Sequence, residues 1–396
     1  MNCLIEIYNN DQISNLTIIF SLKPKKVILL YDENHTNKKN MNFFKEACLN
    51  KIPNIKFEFI QFDNTNIDKI YSICSDLIHK NQKCFFDITG ADELGAIGAY
   101  LACKKTFTPI FKIDIIDNKL INIYGCNSLE KNFIAPKFTM DTIFALRGAS
   151  IVGNNHKTPE KSLYDNILKF CDVIFNRLDE WKNLCYYLQT GSAKYPQSAK
   201  SNLFWAPRIL KNNKNKIYLS SDYILYEAEK LKLINNLDIC DSNISFEFKN
   251  REIKRYLTDF GVWLELYCFI KLKQCSLFHD VRLSVKLDWN NSKDRSLEVM
   301  NEIDVTFFYK TRPCFISCKL SEPSSDTLQE LSMYPNFLGG KNSKPFLAIL
   351  STINKKDSYV YKRAKTINIT VIDGNDIKNN TFLKHIKNSL NIENNS

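Results

Sequence analysis

The sequence contains few of the residues on which metal-stabilised and disulfide-stabilised folds are built. It has five histidines, and no two of them stand at the spacing of a zinc-ligand pair, which argues against a structural zinc site. The 13 cysteines are scattered without a Cys-x-x-Cys pair, and several, such as Cys84, Cys268 and Cys318, lie inside apolar runs. Cysteine in that context acts as a small hydrophobic residue in a reducing compartment. We therefore expect no disulfide framework.

Long apolar runs and the common phosphate-binding motifs are absent as well. No stretch approaches the roughly 18 apolar residues that a membrane span needs, and the chain begins with no pattern typical of a signal peptide. We therefore expect a cytoplasmic protein without a membrane partner. Neither a Gly-Lys-Ser/Thr phosphate loop nor a Gly-x-Gly-x-x-Gly fingerprint occurs, so the sequence is not that of a P-loop protein or a common dinucleotide-binding protein.

Size and charge are what the sequence does offer. Its 396 residues, 44% of them hydrophobic, are enough for two or three domains that each have a core. The excess of Lys and Arg over Asp and Glu gives a formal charge of +11, which favours a polyanionic partner such as nucleic acid or a nucleotide. Lysine is abundant alongside asparagine, however, and a bias in composition explains the charge equally well.

The first part of the chain alternates short apolar runs with segments of helical period. We predict strands at 3–8, 26–31, 55–60, 83–88 and 109–116, and helices at 12–21, 39–50, 66–79 and 92–105. Strands that alternate with helices at this spacing predict an α/β fold, with a parallel sheet covered on both faces. The ligand crevice of such a sheet lies beyond the carboxyl ends of its strands.

Three short polar segments follow those strand ends: NNDQ (9–12), DENHT (32–36) and TGADE (89–93). In TGADE a turn of small residues opens a helix, whose amino-terminal N–H groups and dipole suit a phosphate. The alternative is an ordinary turn in which Thr89 or Asp92 caps the helix. The candidate ligand-binding residues of the three segments are Asn10, Gln12, Asp32, Thr36, Thr89, Gly90, Ala91, Asp92 and Glu93.

After about residue 125 the alternation stops. The periods of 138–151 and 162–188 are helical, the polar residues 189–216 predict a linker, and 217–250 predict a short helix followed by strands. This last segment suits a small winged-helix-like unit, or a connector with no role in nucleic-acid binding. Helices at 259–275 and 326–338 follow, with strands near 280–288, 299–309, 313–320, 344–351 and 367–373. We divide the chain into domains 1–150, 151–255 and 256–396.

Two of these strands, in the stretch NEIDVTFFYKTRPCFISCKL (301–320), carry the residues of greatest chemical interest. Side chains alternate along a strand, so Glu302 and Asp304 share one face. On the partner strand the polar face carries Ser317 and Lys319. A turn through KTRP pairs residue 305 with 318 and places Asp304 directly opposite Lys319.

Hydrolysis of a phosphodiester with a divalent metal requires a patch of this kind. Carboxylate and carbonyl oxygens bind hard cations, and a nearby lysine stabilises developing negative charge. The alternative is a cross-strand ion pair on a solvated face, which contributes less than about 1 kcal/mol. A third carboxylate, Glu265, lies in the otherwise apolar helix GVWLELY before the sheet, where it faces either solvent or a functional site.

The order of these motifs resembles a known family. A helix with an acid, then NEIDV, FISCK, a second helix and a strand follow the order of PD-(D/E)XK nucleases. With its amino-terminal half, the chain resembles the CRISPR-associated nucleases that join a CARF domain (CRISPR-associated Rossmann fold) to such a nuclease. The resemblance implies that Asp304 is the central metal ligand, Glu265 the helix acid and Lys319 the catalytic lysine. It also implies that Glu302 assists and that the backbone carbonyl near Cys318 binds the metal.

The resemblance further implies a fold and an activity. The fold is a Rossmann-like CARF domain and a restriction-endonuclease-like α/β domain, joined by a helical, winged-helix-like connector. The activity is that of a type III CRISPR ancillary effector. Such a protein is a homodimer that binds a cyclic oligoadenylate, here cyclic tetra-adenylate, and then cleaves DNA, RNA or both with Mn²⁺ or Mg²⁺.

Two departures from the family pattern keep other functions open. Ser317 stands where an acid often precedes the catalytic lysine, and TGADE has Ala91 for a glycine and Glu93 for the lysine of many members. A serine carries no charge, so one alternative is a non-catalytic cyclic-nucleotide sensor or regulator with a degenerate nuclease domain. Another is a constitutive restriction or repair nuclease whose amino-terminal half only supports dimerisation.

Overall fold

The computed structural model describes residues 2–33, 36–154, 156–196, 201–212, 214–289, 300–335, 338, 340–354 and 357–392. The amino-terminal elements are β1 (Cys3–Ile7), α1 (Gln12–Leu22), β2 (Lys26–Tyr31), α2 (Lys38–Lys51), β3 (Lys56–Gln61), α3 (Ile67–Lys80), β4 (Cys84–Asp87), α4 (Glu93–Thr106), β5 (Ile110–Asp114) and β6 (Lys119–Tyr124). The strands form a sheet in the order β3-β2-β1-β4-β5-β6. The first five strands in this order are parallel, and β6 pairs with β5 in the antiparallel direction at the edge of the sheet. The predicted parallel α/β arrangement is confirmed.

Helices cover this sheet on both faces because its strands are apolar on both faces. Leu4 and Leu29 pack with α1 and α2 in one hydrophobic cluster. Ile5 and Ile28, which point the other way, pack with α3 and α4 in a second cluster. All five residues of β1 are buried, as is typical of a central parallel strand. The carboxyl ends of β1 and β4 therefore lie at the centre of one sheet edge, where loops are free to form a crevice.

The middle of the chain is built from helices and short strands. Its elements are α5 (Asn127–Lys131), α6 (Met140–Ala145), β7 (Ser150–Asn154), α7 (Tyr164–Phe175), α8 (Leu178–Lys194), β8 (Leu203–Pro207), β9 (Ile209–Lys211), β10 (Ile217–Leu219), α9 (Asp222–Lys230), β11 (Ile234–Ile239), β12 (Asn243–Phe248) and α10 (Arg251–Leu257). Strands β11, β12 and β8 form a three-stranded antiparallel sheet, and β9 pairs with β10. As predicted, a short helix precedes a pair of strands in 217–250.

Two predictions for the middle of the chain are wrong in part. The helical prediction for 138–151 holds for α6, but its last two residues begin strand β7. The predicted linker 189–216 contains the end of α8 and the strands β8 and β9, while residues 197–200 and 213 lie outside the described part. Strand β8 is only five residues long, and the residues around it are polar or disfavour regular structure. Its alternation of buried and exposed residues was therefore too short to be recognised in the sequence.

The carboxyl-terminal part forms a second sheet with helices on its faces. Its elements are α11 (Val262–Gln274), β13 (Phe278–Asp288), β14 (Met300–Tyr309), β15 (Arg312–Lys319), α12 (Ser325–Tyr334), β16 (Lys344–Ile349), α13 (Tyr359–Thr366), β17 (Thr370–Ile372), α14 (Gly374–Lys378) and α15 (Phe382–Ser389). The strand order is β17-β16-β15-β14-β13-β7, so β7 joins this sheet from the chain segment that follows the first sheet. Residues 336 and 337 of the predicted helix 326–338 lie outside the described part.

The predicted register of the hairpin β14–β15 is wrong by two residues. Val305 pairs with Ile316 and not with residue 318. The paired residues end at Val305 and Ile316, so Asp304 and Lys319 lie beyond this ladder. Within the paired stretch, a shift of two residues preserves the face of each side chain. The four polar residues Glu302, Asp304, Ser317 and Lys319 line one cavity, although the predicted pairing is wrong.

The turn of the hairpin explains the difference. Tyr309 pairs with Arg312, so the turn consists of Lys310 and Thr311 and not of the four residues KTRP. Lys310 adopts a left-handed backbone conformation, with φ of 54°, as a two-residue hairpin turn needs at its first position. Pro313, which the predicted turn included, lies inside β15.

The two sheets share one hydrophobic cluster. It contains Leu4 and Leu29 of the first sheet as well as Val285, Ile303 and Phe315 of the second. Because the cluster is continuous, the amino-terminal and carboxyl-terminal parts are packed against each other through apolar contacts. Across the described residues, no helix has the length and the apolar character needed to cross a membrane.

Candidate active site and ligand crevice

Asp304 lies in β14, and the neighbouring strand holds its carboxylate. The backbone N–H of Cys318 donates to Asp304 Oδ2 at 2.6 Å, and the side chain of Ser317 also hydrogen-bonds to this carboxylate. Asp304 is half-buried, while the adjacent Val305 and Thr306 are fully buried. A cross-strand ion pair on a solvated face, which was the alternative for this hairpin, does not describe these surroundings.

Glu265 approaches the same carboxylate from helix α11. Its neighbours Leu264 and Leu266 are fully buried, because α11 packs on the sheet. Glu265 itself accepts a hydrogen bond from Ser284 Oγ at 2.8 Å. Ser284 belongs to β13, the strand beside β14, so the acid is directed along the sheet toward Asp304 and not toward solvent.

Burial and mutual repulsion weaken the acidity of these carboxyl groups. Burial, followed by the charge of Asp304, raises the pKa of Glu265 well above its usual value. Burial also raises the pKa of Asp304, against the opposing effects of the Cys318 N–H and the Lys319 charge. The pKa of Glu302 is raised by burial and by the charge of Asp304. Three such acids beside one lysine form a site that additional positive charge would stabilise.

The donors of this site fit a hard divalent cation. Carboxylate oxygens such as those of Glu265 and Asp304 are the ligands that Mg²⁺ and Mn²⁺ prefer. Within the described ranges, no group of three or more His, Cys, Asp or Glu side chains is arranged as a metal centre. Ser317 supplies a hydroxyl where a third carboxylate would stand. Backbone carbonyls and water are the donors that would complete the ligand set of an ion held here.

A small cavity of about 40 Å³ lies in front of Asp304. Three further predicted residues line it, namely Glu302, Ser317 and Lys319. Helix α12 contributes four residues that were not predicted: Thr327, Glu330, Leu331 and Tyr334. The helical period of α12 was visible in the sequence, but the period does not tell which polar residues of a helix face a neighbouring sheet.

A histidine and an aspartate behind Glu265 were also missed. Asp259 caps α11 by accepting from the N–H groups of Gly261 at 2.9 Å and Val262 at 3.3 Å. His156 Nε2 lies 3.3 Å from Asp259 Oδ2, and their hydrogen bond lowers the pKa of Asp259. The negative charge of Asp259 contributes to the raised pKa of Glu265. The two residues are about a hundred positions apart in the chain, so no local motif indicated them.

The first sheet carries a polar crevice at the carboxyl ends of its strands, as predicted. A cavity of about 250 Å³ lies there. Six of the nine predicted residues line it: Asn10, Asp32, Thr36, Gly90, Ala91 and Asp92. Asp92 also caps α4, since its side chain accepts from the N–H of Gly95 at 2.7 Å. The cap that was weighed against a ligand role is therefore present, and it lies in the wall of the crevice.

The other three predicted residues do not line this cavity. Gln12 is buried, and its Nε2 donates to Tyr8 Oη and to the carbonyl of Asn40, both at 2.7 Å. Thr89 Oγ1 accepts from the N–H of Ile113 at 2.7 Å and donates to Asp87. Glu93 lies exposed in the first turn of α4. Gln12 and Thr89 thus support the crevice from behind.

Gly90 is required by the close approach of two loops. A Cβ atom at this position would lie 2.3 Å from the carbonyl oxygen of Ile7 at the end of β1. No side chain fits into that space. The turn TGADE therefore lies directly against the end of the central strand, and a larger residue at position 90 would move the whole turn.

A second cavity, of about 650 Å³, adjoins the crevice and reaches the carboxyl-terminal sheet. Asn9 and Asn10 line both cavities. The second cavity is also lined by Lys39, Phe43, Arg147, Trp289 and Gly340, none of which was predicted. Trp289 and Gly340 come from the carboxyl-terminal part of the chain, so only the folded structure brings them to this cavity. Two of these residues supply positive charge and two supply aromatic surface.

Comparison with known proteins assigns the carboxyl-terminal part and the overall fold. Residues 250–391 match the family described as Card1-like, endonuclease domain. The whole chain is similar to protein VC1899 from Vibrio cholerae, with a TM-score of 0.73 and 17% sequence identity over 98% of both chains. It is also similar to Can2 from Sulfobacillus thermosulfidooxidans, solved in complex with cyclic tetra-adenylate. That likeness has a TM-score of 0.66 and 16% identity, and covers 98% of this chain and 99% of the other.

A search of curated protein sequences finds no match to the chain. The two structural likenesses confirm the predicted α/β fold, with a parallel sheet in the amino-terminal part and a second sheet in the carboxyl-terminal part. The family match contains Glu265, Asp304 and Lys319 within its bounds. By this match, residues 250–391 form a Card1-like endonuclease domain.

Proposed function

We propose that this endonuclease is activated by a cyclic oligoadenylate, most specifically cyclic tetra-adenylate, and serves type III CRISPR antiviral defence by cleaving DNA, RNA or both. The observation that carries the proposal is the half-buried Asp304, held between Glu265 and Lys319 in the same chain as a polar crevice at the carboxyl ends of a parallel sheet. The fold shared with Can2, which was solved with cyclic tetra-adenylate, supports it. We assign sensing to residues 1–150, connection to 151–255 and cleavage to 256–396.

The catalytic residues of the proposal are those around Asp304. Glu265, Asp304 and the backbone carbonyl of Cys318 would hold Mn²⁺ or Mg²⁺, which supplies Lewis acidity and offsets the charge of the attacked phosphate when bound. Lys319 places a positive charge beside Asp304 and stabilises negative charge that develops on the phosphate oxygens. Glu302, at the edge of the same cavity, assists in holding a water molecule.

Ser317 takes a positioning role instead of a charged one. Its side chain and the N–H of Cys318 both hydrogen-bond to the carboxylate of Asp304. Two such bonds fix the orientation of that carboxylate and favour its ionised form. The loss of a third negative charge at position 317 is thereby offset by a better defined geometry at Asp304.

The sensing residues of the proposal are those of the crevice. The backbone N–H of Gly90 and the side chains of Asn10 and Thr36 offer donors to phosphate and ribose oxygens. Ala91 lines the crevice, while its N–H donates to the carbonyl oxygen of Ile88 at 3.1 Å. Asp32 and Asp92 are acceptors for ribose hydroxyl groups or adenine amino groups. Gln12 and Thr89 position the loops, and Glu93 lies at the rim. The cations Lys39 and Arg147 line the adjoining cavity.

The proposal includes a homodimer formed through helix α4. Four large hydrophobic residues lie exposed on this helix, at the spacing of one helical face: Leu94, Ile97, Tyr100 and Leu101. A second copy of the chain is the partner we propose for that face, since α4 begins at the crevice and a two-fold axis there would bring two crevices together. A cyclic ligand with two-fold symmetry fits such an arrangement.

Cleavage assays test the proposed activity. The purified full chain is incubated with Mn²⁺ and single-stranded, duplex or supercoiled substrates, with and without cyclic tetra-adenylate. We expect cleavage that depends on the cyclic nucleotide. The isosteric variant Asp304→Asn should lose about 100-fold or more of the rate, since it removes a charged ligand of the reaction centre. Asp179→Asn, an exposed position on α8, makes the same chemical change away from the site and should leave the rate unaltered.

The outcomes separate the three functions that the sequence allows. Binding of cyclic tetra-adenylate without any cleavage that depends on Asp304 would favour a sensor with a degenerate nuclease domain. Cleavage that depends on Asp304 and is indifferent to the nucleotide would favour a constitutive nuclease. Either result would replace the proposal.

A further inference from the structure

Trp289 connects the wall of the larger cavity with the catalytic sheet. It directly follows β13 and lines the cavity of about 650 Å³ together with Lys39, Phe43 and Arg147. Its indole Nε1 donates to Asn301 Oδ1 at 2.9 Å. The tryptophan thus presents an apolar surface to the occupant of the cavity, while its polar edge is bonded to the strand that carries Asp304.

Asn301 continues this connection to the catalytic cavity. It is the second residue of β14, and its Nδ2 donates to Glu330 Oε1 at 3.5 Å, which is at the long limit of a hydrogen bond. Glu330 Oε1 also accepts from Tyr334 Oη at 3.3 Å. Glu330 and Tyr334 line the cavity in front of Asp304. Three side chains therefore lead from one cavity to the other.

The last residue of this row acts on the reaction centre through its charge. Glu330 brings a negative charge to the wall of the cavity in front of Asp304. Tyr334 Oη lies 3.4 Å from the carbonyl oxygen of Glu302 and so ties the same helix to the catalytic strand. A displacement of Glu330 would change both the field at Asp304 and the position of α12 over the cavity.

We infer that Trp289, Asn301 and Glu330 form a relay through which the occupant of the larger cavity adjusts the catalytic site. The inference rests on the proposed function, because it assumes that a cyclic oligoadenylate bound in the crevice extends into this adjoining cavity. A purine base that stacks on the indole of Trp289 shifts or fixes that ring, and the hydrogen bond to Asn301 transmits the change to β14 and α12. The three residues are positioning residues, since they act through Asp304 and not on the substrate.

The polarity of the link between Asn301 and Glu330 allows a specific test. Asn301→Asp keeps an oxygen acceptor for the Trp289 N–H, but it replaces the donor to Glu330 by a second carboxylate. Glu330→Gln keeps an acceptor for Asn301 and adds a donor. In the double variant, the new amide at position 330 can donate to the new carboxylate at position 301, which restores the link in the reverse direction. Each variant differs from the natural chain by the exchange of one oxygen for one nitrogen, or the reverse, at each changed residue.

The measurement is the factor by which cyclic tetra-adenylate stimulates Mn²⁺-dependent cleavage of a supercoiled plasmid, taken for each variant against its own rate without activator. We expect Asn301→Asp to lose at least tenfold of this stimulation, and the double variant to regain most of it. Binding of cyclic tetra-adenylate and thermal unfolding are measured for all variants. Asn235→Asp, an exposed position on β11, is the matched control and should behave as the natural chain.

Two results would overturn the relay while leaving the proposed function intact. The first is that cyclic tetra-adenylate stimulates the Asn301→Asp variant by the same factor as the natural chain. The other is a double variant that is no more stimulated than Asn301→Asp, because a loss without rescue indicates general damage to β14. A natural chain that cleaves without any response to cyclic tetra-adenylate would instead overturn the proposed function, and the relay with it.

Discussion

A pair of fully buried carboxyl groups lies below the crevice, and a pair of half-buried ones lies at the candidate active site. Glu6 and Asp87 are neighbours across β1 and β4 and are fully buried below the crevice. Asn15 Nδ2 donates to Glu6 at 3.0 Å, and Asn15 Oδ1 accepts from the N–H of Asn9 at 3.0 Å, so this pair supports a loop that lines the crevice. Glu265 and Asp304 form the second pair, beside Lys319. The first pair supports the crevice, and the second lies at the candidate active site.

Neutralising Glu265 should stabilise the fold while it abolishes cleavage. The pKa of Glu265 is raised in the folded protein, so its ionised form opposes folding, and Glu265→Gln removes that charge while keeping an acceptor for Ser284. We expect a gain of roughly 1 kcal/mol or more in unfolding free energy at pH 8, measured by urea unfolding. Because the shift is upward, the gain should shrink as the pH falls toward the usual pKa of a glutamate.

Glu46→Gln is the matched control, since Glu46 lies exposed on α2. It should change neither stability nor cleavage. An unfolding free energy of Glu265→Gln below that of the natural chain at pH 8 would contradict the electrostatic description of the site.

The scaffold pair should make stability depend on pH. Burial raises the pKa of Asp87 to about 7, well above the value of an aspartate in an unfolded chain. The folded state therefore binds more protons, and the stability that this provides is lost as the pH rises from about 4 to about 7. Between about pH 4 and 7, the urea midpoint of the Asp87→Asn variant should therefore change less with pH than that of the natural chain. Above about pH 7, the two curves of urea midpoint against pH should run parallel.

Glu6 keeps some pH dependence in that variant, because burial raises its pKa too. The exposed Asp76→Asn change on α3 should leave the curve as it is. If the natural chain gained stability between about pH 4 and 7, the buried pair would have to ionise at low cost, which contradicts the raised pKa of both carboxyl groups.

At the scale of elements, the hairpin β14–β15 is anchored at both ends. Its base carries Asp304, while its tip packs on the first sheet. Thr311 at the tip is fully buried, and its Oγ1 lies 2.7 Å from Asn118 Oδ1 and 3.3 Å from the carbonyl oxygen of Ile115. Residues 115 and 118 belong to the turn between β5 and β6. The hairpin therefore connects the second sheet, to which it belongs, with the first sheet, which its tip contacts.

Thr311→Val should weaken this contact without changing the shape of the side chain. It leaves a buried carbonyl and a buried amide oxygen without their hydroxyl partner, at a cost of about 1–2 kcal/mol. We expect a lower transition temperature in calorimetry. Thr158→Val, at an exposed position before α7, should not lower it. Equal transition temperatures for the two variants would mean that the tip of the hairpin is not bonded to the first sheet.

The hairpin also illustrates how far the sequence could be interpreted. Alternation along β14 and β15 indicated which side chains share a face, and this was enough to group Asp304 with Lys319. The register depended on whether Pro313 closes the turn or enters the strand, and period alone does not decide that. Helix α10 and strand β8 escaped prediction because each is short and owes its form to partners elsewhere in the chain.

The same limit applies to the two sites. Residues of one motif, such as those of TGADE, were found because they are neighbours in sequence. Glu330, His156, Arg147 and Trp289 were not found, because only tertiary packing brings them to a site. Gln12 and Thr89 were assigned to the ligand on the basis of their place in a loop, whereas their bonds face inward. Sequence position predicts the neighbourhood of a residue better than the direction of its side chain.

At the scale of the whole molecule, the proposed dimer decides whether the two sites can be coupled. Ile97→Glu places a charge in the exposed apolar face of α4, where Ile97 retains 48% of its accessible surface. We expect this variant to be monomeric in light scattering at micromolar concentration, because desolvation of a carboxylate opposes burial of the face. Its thermal stability should match that of a natural chain diluted to the monomer, since the substituted side chain is exposed within one chain.

Loss of the dimer should abolish the response to cyclic tetra-adenylate, because a ligand that spans two crevices has only half of its contacts in a monomer. Ile209→Glu is the matched control: Ile209 is 61% exposed on β9, far from α4 in the chain, and its charge should leave both mass and stimulation unchanged. If the Ile97→Glu variant remained dimeric and were still stimulated, the dimer interface would have to lie on a surface other than α4. A monomer that is still stimulated would show that ligand binding in one chain is enough to affect Asp304 of the same chain. The hydrogen bond between Trp289 and Asn301 of β14 provides a direct connection within one chain for that effect.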